Sequence, residues 1–469
     1  MGTTPSDDMT PLERLGASRR SFLALAGAGA SASVLAACAG GGGGEETEGG
    51  GSVTGDGEVT DDNPLGVDGA APVTAVIFDG GYGTQYAEDA GEKYQELYAE
   101  AQVDVSGTVN IQQDLQPQFA GGTPPDVGWY GYGWSKWFVE GVFMPMDDLF
   151  ASKGVNKDIF WDAAISGLTW EGKLSSMPLG LLCTTVAVNL NIYQEAGVDS
   201  PAESGEWTYA DLATWGPSMT NPDERKYAAT LDQAYSMYWL IAMGGNQGSK
   251  DDQWIEMDLN SPERIASMQM YYDLVRKHEV AAPPEVTSEM GMMPYFASGL
   301  IGNHWGMIWM VPTFRTDVQD FEWDISMVPY LEANGKKWRH SSVYTEEMAI
   351  INGTKVLDEA WDFTYWFCTE QLEEAAHNGD IIPGVRAVAE SGTFLRDDAP
   401  PQHLDNFLKS LEIGVPTSNH PEVDPMLERY NELWPAVLAG EVEMSIEQFL
   451  NEANAHAQDV LDRWNEKRS

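Results

Sequence analysis

A dense run of aromatic side chains lies in residues 119–137, which read FAGGTPPDVGWYGYGWSKW. The two prolines after Thr123 disfavour a helix, so the sequence predicts a turn and then a short strand at residues 126–128. Flat apolar faces with a hydrogen-bonding edge suit a ligand that alternates CH faces with hydroxyl groups, as a sugar ring does. The alternative is that the rings only fill a core. The candidate ligand-binding residues in this run are Trp129, Tyr130, Tyr132 and Trp134.

The elements around this run predict a parallel sheet. VTAVIF from Val73 is typical of a strand, a helix follows from Thr84, and residues 103–109 form a second strand before the helix that leads into the aromatic run. This β-α-β-α-β order favours an α/β layer with helices on both faces and a binding edge at the strand ends. Asp79 and Tyr82 follow the first strand, so we expect them to meet the aromatic run at one cleft.

Later segments predict further strands and helices. Residues 177–197 form a long apolar run without helical period, which indicates a crossover between two lobes. Residues 261–280 have the pattern of an amphipathic helix that begins at Pro262. Residues 323–330 and 346–353 are predicted strands. Ser445 and Gln448 predict a capping box at the start of the last helix.

The first 70 residues have the composition of an export signal and a linker. Arg19 and Arg20 precede an apolar stretch of small residues, which is the twin-arginine pattern, and we assign residues 1–37 to the signal peptide. LAAC ending at Cys38 resembles a lipobox, so Cys38 is the predicted lipidation site. Residues 38–70 are rich in glycine and acidic residues, which predicts a disordered tether to the outer face of the membrane.

Net charge excludes several classes of partner. The chain carries 73 Asp and Glu against 26 Lys and Arg, a formal net charge of −47. Self-repulsion of this size needs strong salt screening, so the composition favours a halophilic source. The same charge disfavours nucleic acid and anionic membrane surfaces as partners. Of three cysteines, Cys183 and Cys368 lie in apolar runs and are predicted to be buried free thiols.

Enzyme chemistry has little support in the sequence. Seven histidines are scattered without metal-ligand spacing, and there is no HExxH, GxSxG or phosphate-loop motif. We therefore predict no cofactor, no metal and no catalytic residue. A glycoside hydrolase remains the enzyme alternative, since it needs two facing carboxylates such as Glu346 and Asp79.

Several motifs, in this order, resemble the family 1 extracellular solute-binding proteins of ABC importers. They are FAGGTPPDV, GVFMPMDDL, WEGKLSSMPLG, VNLNIYQEAGV, YYDLVRKHEVAAPP, FASGLIGNHWGMIW, DISMVPY, EAWDFTYWF and IIPGVRAV. NPLGVDGAAP, VIFDGGYG and LQPQFAGGTPPD further resemble the subgroup that binds N-acetylglucosamine and diacetylchitobiose. Val188-Asn189-Leu190 departs from the family's commoner Tyr-Asn-Lys.

The resemblance implies an α/β fold of the type II periplasmic-binding-protein kind, with two hinged lobes and a ligand cleft between them. It places residues 71–183 and 328–372 in the N-lobe, and residues 184–327 and 373–469 in the C-lobe. It also implies a monomer that captures a carbohydrate by lobe closure and delivers it to the transmembrane permease subunits, and through them to the ATPase. A polyamine or another non-sugar solute is the alternative ligand for the same fold.

Further candidate ligand-binding residues lie outside the aromatic run. Trp305 and Trp309 lie where the family carries its stacking tryptophan, although the run around them is apolar enough for a core strand. Arg386 matches a family position that reaches the cleft. Asn246 follows a double glycine and either binds hydroxyl groups or stabilises the turn. Tyr344 and Glu346 lie in the predicted hinge region.

Overall fold

The computed structural model describes residues 72–78, 83–98, 101–108, 110–130, 134–231, 236–251 and 253–469. The predicted signal peptide and tether lie outside the described residues. So do four of the predicted functional residues, Cys38, Asp79, Tyr82 and Tyr132.

The strands form two main sheets and two short hairpins. They are β1 (Val73–Phe78), β2 (Val103–Thr108), β3 (Val127–Trp129), β4 (Thr169–Trp170), β5 (Lys173–Leu174), β6 (Met177–Cys183), β7 (Thr185–Asn189), β8 (Tyr227–Thr230), β9 (Ile301–Gly306), β10 (Trp323–Ser326), β11 (Leu331–Ala333), β12 (Lys336–Trp338), β13 (Ser341–Ile350), β14 (Ile382–Pro383) and β15 (Gly414–Pro416).

Helices cover both sheets. They are α1 (Gly83–Leu97), α2 (Ile111–Gly121), α3 (Trp134–Val139), α4 (Asp147–Ser152), α5 (Asp162–Gly167), α6 (Leu190–Ala196), α7 (Pro201–Ser204), α8 (Tyr209–Met219), α9 (Ser236–Met243), α10 (Pro262–Arg276), α11 (Pro284–Met290), α12 (Met292–Ala297), α13 (Met310–Asp317), α14 (Leu357–Thr369), α15 (Leu372–Asn378), α16 (Arg386–Ala389), α17 (Asp405–Glu412), α18 (Val423–Ala439) and α19 (Ile446–Arg468), with short 3-10 turns at Lys157–Ile159 and Pro222–Glu224.

Within the described residues, the first sheet has the order β14-β6-β13-β3-β1-β2, and β15 pairs with the start of β13. The parallel pairs β1 with β2 and β1 with β3 confirm the predicted β-α-β-α-β unit. The second sheet has the order β10-β7-β9-β8, in which β8 and β9 are parallel. The central strands of both sheets are buried on both faces, because helices cover the sheets on both sides.

The chain changes sheet between β6 and β7. β6 ends at Cys183 in the first sheet, and β7 begins at Thr185 in the second. Two hydrogen bonds tie this crossing to the start of β13: the Thr184 N–H donates to Ser342 O at 3.0 Å, and Ser341 Oγ donates to Thr184 O at 2.8 Å. This stretch is a junction where two chain segments pass between the sheets side by side.

The chain returns from the second sheet to the first. Leu331 and Trp338 of the β11–β12 hairpin pack against the core of the second sheet, and β13 begins at Ser341 in the first sheet. β14 pairs with β6 and β15 pairs with β13, while Asn406 of α17, which lies between them, donates to the Ile325 carbonyl oxygen in the second sheet. The strands β14 and β15 are too brief to carry a sequence pattern.

Local sequence signals account for several helix ends. The capping box of Ser445 and Gln448 is confirmed at the start of α19. Asn189 caps α6, so the second half of the predicted long strand run is a helix, because the Asn189 side chain accepts the N–H groups of Asn191 and Ile192. The helix predicted from Pro262 is also present, as α10.

The buried face of α10 carries an arginine that the apolar pattern did not predict. Arg264 is fully buried and its guanidinium lies 2.8 Å from the Asp258 carboxylate. The same guanidinium donates to the carbonyl oxygens of Leu240 and Ile241 at 3.0 Å, near the end of α9. A cation at this end satisfies carbonyl groups that the helix leaves unpaired. Arg264 therefore adds polar contacts between α10 and α9 to the apolar core that the two helices share.

Gly180 is a position where the central packing of the first sheet requires glycine. A Cβ atom there would lie 2.3 Å from Ile381 Cδ1 and 2.8 Å from the Ile382 carbonyl oxygen. We expect Gly180→Ala to lower the free energy of unfolding by about 1–3 kcal/mol, because the added methyl group overpacks a strand held on both sides. Equilibrium denaturation in urea measures this change.

Gly392→Ala is the matched control. A Cβ atom at Gly392 would have no neighbour within 4 Å. The control variant is expected to change the free energy of unfolding by less than about 0.5 kcal/mol. Equal losses in the two variants would contradict the packing argument.

Candidate functional site

Parallel strands of both sheets end beside the Thr184 crossing. In the first sheet, Ile77 of β1 aligns with Trp129 of β3, and β6 runs in the same direction and continues past this level to Cys183. In the second sheet, Thr185 pairs with Gly306 at the end of β9, and β8 runs parallel to β9. Ligands of open α/β sheets bind outside the carboxyl ends of the strands. The two sets of strand ends therefore define a candidate cleft at the crossing.

The segments that follow three of these strands are 79–82 after β1, 131–133 after β3 and 232–235 after β8, and all three lie outside the described residues. Among the described residues, Trp129 is the last residue of β3, Tyr344 and Glu346 lie within β13 opposite the last part of β6, and Trp309 follows β9. We call these four residues the cleft-edge residues.

A hydrogen bond joins two of the cleft-edge residues across the first sheet. The Trp129 indole N–H donates to the Glu346 carboxylate. Trp129 itself is 3% exposed, whereas Glu346 and Tyr344 are half-buried. Because side chains alternate along a strand, Tyr344 and Glu346 project from the same face of β13. The Glu346 carboxyl group and the Tyr344 phenol ring therefore lie on one face of β13, and the Trp129 indole contacts the carboxyl group.

The environment of Glu346 changes its protonation. Burial raises the pKa of Glu346 to about 7, while the hydrogen bond from Trp129 acts in the opposite direction. Near neutral pH the carboxyl group exists in both forms, so it can accept a hydrogen bond or donate one. Such a group suits a hydroxyl ligand, because a hydroxyl group is also both donor and acceptor.

Two aromatic residues that were predicted to bind the ligand, Tyr130 and Trp134, are buried. Tyr130 is 1% exposed and its ring packs on Phe143, with ring centroids 4.6 Å apart. Trp134 is 7% exposed and begins α3 instead of extending the loop. Tyr130 and Trp134 are therefore core residues in this structure.

A glycine explains why the ring of Tyr130 turns inward. A Cβ atom at Gly128 would lie 2.5 Å from the Tyr130 ring, so glycine at this position lets the ring close over the strand. Gly128 therefore lets the Tyr130 ring pack against its own strand.

The two tryptophans predicted to bind ligand from the second sheet differ in their burial. Trp305 is 6% exposed and packs between Trp207 and Tyr209, at centroid distances of 5.9 Å and 6.1 Å. It is a core residue, because it lies within β9, whose residues are all buried. Trp309 lies beyond the end of β9, just before α13, and is half-buried.

Asn246 and Arg386 are not joined to the cleft-edge residues by any contact of the described residues. Asn246 Oδ1 accepts the Gly248 N–H at 2.8 Å and a hydrogen bond from Arg264 at 2.7 Å, so it stabilises its turn. Arg386 is exposed beyond β14, and its guanidinium lies 4.8 Å from the ring centroid of Trp161. The predicted ligand contacts of both residues lack support from this geometry.

Sequence reasoning missed a cluster of rings around His420. Trp170, Trp254 and Trp464 surround this histidine and line a cavity of about 1030 Å³. Trp170 and Trp464 are 294 positions apart, so no local sequence pattern predicts that the four residues meet.

The described residues contain no group of three or more His, Cys, Asp or Glu side chains placed to hold a metal ion. None of the described helices combines the length and the hydrophobicity needed to cross a membrane. Cys183 and Cys368 are buried free thiols, as predicted, and burial raises the pKa of both.

Two helix-covered α/β layers that exchange chain segments beside a set of strand ends define the type II periplasmic-binding-protein fold. Residues 80–371 match the family model described as bacterial extracellular solute-binding protein. The chain belongs to this family.

Comparison with curated proteins finds two relatives in Streptomyces coelicolor. The diacetylchitobiose binding protein DasA is 22% identical over 336 residues, which cover 70% of this chain and 77% of that protein. The diacetylchitobiose binding protein NgcE is 42% identical over 71 residues, so the match spans only 15% of either chain.

Solved structures share the fold at low sequence identity. The ABC substrate-binding protein Lmo0181 from Listeria monocytogenes, in complex with cycloalternan, has a TM-score of 0.72 at 18% identity and covers 83% of this chain and 99% of its own. The sugar-binding protein MalE from Xanthomonas citri has a TM-score of 0.70 at 15% identity and covers 85% and 100%. Both likenesses support the two-lobe architecture.

The raised pKa of Glu346 predicts a pH-dependent stability. Its folded-state value of about 7 exceeds the ordinary 4.5, so the folded state binds the extra proton in this window and loses stability as the pH rises through it. Glu346→Gln removes this loss. We expect the stability of the variant, relative to wild type, to increase as the pH rises from 4.5 to above 7. Urea denaturation across this pH range measures the difference.

Asp362→Asn is a control for the effect of any buried carboxyl group. Burial raises the pKa of Asp362 to about 7, and Lys153 Nζ lies 3.8 Å from its carboxylate. The control is expected to reproduce the stability difference without touching the cleft edge. A pH-independent difference between Glu346→Gln and wild type would contradict the assigned environment of Glu346.

Proposed function

We propose that this protein is the carbohydrate-binding component of an ABC importer, which captures a mono- or oligosaccharide by lobe closure and delivers it to the permease. The match of residues 80–371 to the solute-binding family carries this proposal. Support for a sugar comes from the relatives, because the DasA and NgcE descriptions name diacetylchitobiose and the Lmo0181 structure contains cycloalternan. N-acetylglucosamine or diacetylchitobiose is our first choice of ligand.

The cleft-edge residues supply the chemistry that this ligand requires. The Glu346 carboxyl group, oriented by Trp129, hydrogen-bonds a sugar hydroxyl, and the Tyr344 ring lies on the same face of β13. Trp309 provides a partly exposed indole from the second sheet. Asp79, Tyr82 and Tyr132 follow strands of the same edge in sequence, and we assign them to the site as well.

Closure follows from contacts with both sheets at once. A sugar held by Glu346 on one side and by Trp309 on the other binds more tightly when the two layers approach, so it shifts the population towards a closed state. The Thr184 crossing and the start of β13 form the hinge in this proposal. The closed state then presents the surface that the permease subunits recognise.

Export and anchoring complete the proposed function. The twin-arginine pattern at Arg19 and Arg20 carries the folded chain outside, and Cys38 takes the lipid that holds it on the outer face of the membrane. The protein works as a monomer in strong salt, which screens the self-repulsion of its charge of −47. These assignments rest on sequence alone.

The Trp129 and Tyr130 pair tests the site assignment. Trp129→Phe removes the N–H that orients Glu346 while keeping an aromatic ring in the core. We expect about tenfold weaker sugar binding, the effect of one lost hydrogen bond at the site. A thermal-shift screen in molar salt against glucose, N-acetylglucosamine, diacetylchitobiose, maltose and spermidine identifies the ligand, and calorimetric titration then measures its affinity.

Tyr130→Phe is the matched control from the neighbouring position. The Tyr130 hydroxyl is buried and reaches no hydrogen-bond partner within the described structure, so its removal leaves the fold equally or more stable and the affinity unchanged. Equal loss of affinity in both variants would contradict the site assignment. A shift with spermidine and none with a sugar would overturn the ligand class, and release of monosaccharide from the disaccharides would establish a hydrolase.

A further inference from the structure

A cavity of about 1030 Å³ lies apart from the cleft edge, and we call it the hinge chamber. Residues 166, 169–171 and 414–416, which belong to the first layer, form one wall, and residues 245–247, 249, 251, 253 and 254 after α9 form the other. The end of α19 closes one side. The chamber is thus bounded by segments that belong to both layers.

The hinge chamber and the cleft edge occupy opposite faces of β13. A Cβ atom at Gly167 in α5 would lie 2.8 Å from Thr345 Oγ1, so Thr345 points towards α5 and the chamber wall. Tyr344 and Glu346 are its neighbours in the strand and project from the other face. None of the cleft-edge residues lines the chamber.

Aromatic rings form part of the chamber wall. His420 is fully buried, and its ring centroid lies 5.3 Å from Trp170, 4.8 Å from Trp254 and 5.4 Å from Trp464. Indole faces pack well against the CH faces of a ring-shaped or chain polyol. Such a wall favours a ligand with apolar faces over a fully hydrated ion.

Two donors in this wall have no acceptor. His420 Nδ1 accepts the Glu422 N–H at 3.0 Å, so the proton of the neutral ring lies on Nε2. Burial lowers the pKa of His420 to about 3, which keeps the ring neutral at pH 7. Within the described structure, neither His420 Nε2 nor the indole Nε1 of Trp170 has a hydrogen-bond partner. Buried unpaired donors are costly, and a chamber occupant with acceptor oxygens would relieve that cost after a small rotation of the rings.

The charges of the chamber restrict the occupant. Among the charged side chains that line it, Arg468 is paired with Glu171 at 2.9 Å. Asp251 accepts the N–H groups of Gln253 at 2.9 Å and Ile255 at 3.1 Å, and it makes no ion pair with the described residues. This charge disfavours an anion, while a simple ammonium ion offers no acceptor to the two N–H groups. A neutral molecule with several oxygen acceptors satisfies both conditions.

We propose that the hinge chamber is a second binding site, separate from the strand-end cleft, for a neutral polyhydroxylated molecule such as a sugar or a polyol. The Trp170 indole and the His420 imidazole donate hydrogen bonds to its oxygens, and the surrounding indoles cover its CH faces. This assignment stands on the chamber alone and does not require the proposed cleft ligand.

Equilibrium dialysis of the purified mature chain in molar salt counts the sites. The probes are radiolabelled glucose, N-acetylglucosamine, diacetylchitobiose, maltose and glycerol, with sulfate as the anionic comparison. We expect at least one neutral probe to bind at the chamber, and Trp170→Phe, which keeps the ring and removes the N–H, to weaken that binding about tenfold. His420→Phe repeats the test at the second donor.

Stability provides a readout that a merely structural role would not give. Trp170→Phe removes an unpaired buried donor, so the ligand-free variant is expected to be as stable as wild type or more stable while it binds the probe less well. Trp434→Phe is the matched control, because the Trp434 indole nitrogen is also buried and unpaired in the described structure but lies outside the chamber lining. The control keeps full binding.

Each outcome decides between the two sites. Loss of binding in Trp170→Phe together with an unaffected Trp129→Phe supports the chamber and removes the cleft assignment. Binding that only Trp129→Phe weakens overturns the chamber site and leaves the proposed function in place. Binding of sulfate in preference to every neutral probe, or an equal effect of Trp434→Phe and Trp170→Phe, also overturns the proposal.

Discussion

The architecture depends on the place where the chain passes between its two sheets. Thr184 and the start of β13 lie side by side there, joined by hydrogen bonds of 3.0 Å and 2.8 Å. β1, β3 and β6 of the first sheet and β8 and β9 of the second all run towards this junction. The cleft follows from strand register, and its lining follows from whichever residues occupy the strand ends.

The same junction creates two different environments. On one face of β13, Tyr344 and Glu346 form a polar edge whose carboxyl group is tuned by burial and by the Trp129 indole. On the other face, α5 and β15 contribute to the wall of the hinge chamber. Under the proposed lobe closure both spaces change together, and the two proposed ligands are then linked through the angle between the layers.

Sequence patterns predicted the fold better than the site. The β-branched run at Val73, the capping box at Ser445 and the parallel strand order were readable, because they depend on local propensity and short spacing. The aromatic run was predicted less well, because the exposure of a side chain depends on its tertiary contacts. Tyr130 faces the core because its ring packs on Phe143 and because Gly128 has no Cβ atom to obstruct it.

The later crossings and the ring cluster were beyond sequence reasoning for a related reason. β14 and β15 contain two and three residues, so they carry no periodicity, and only their partners β6 and β13 define them. Trp170, Trp254, His420 and Trp464 come from distant segments that meet at the hinge chamber. Arg264 is similar, since its burial depends on carbonyl groups at the end of another helix.

Small-angle X-ray scattering in molar salt tests most directly whether a sugar is held between two hinged layers. The chain is measured alone and with a saturating concentration of the sugar that gives the largest thermal shift. Closure predicts a smaller radius of gyration with the sugar and no change with a sugar that does not bind. A bound sugar that leaves the radius of gyration unchanged would contradict capture by lobe closure.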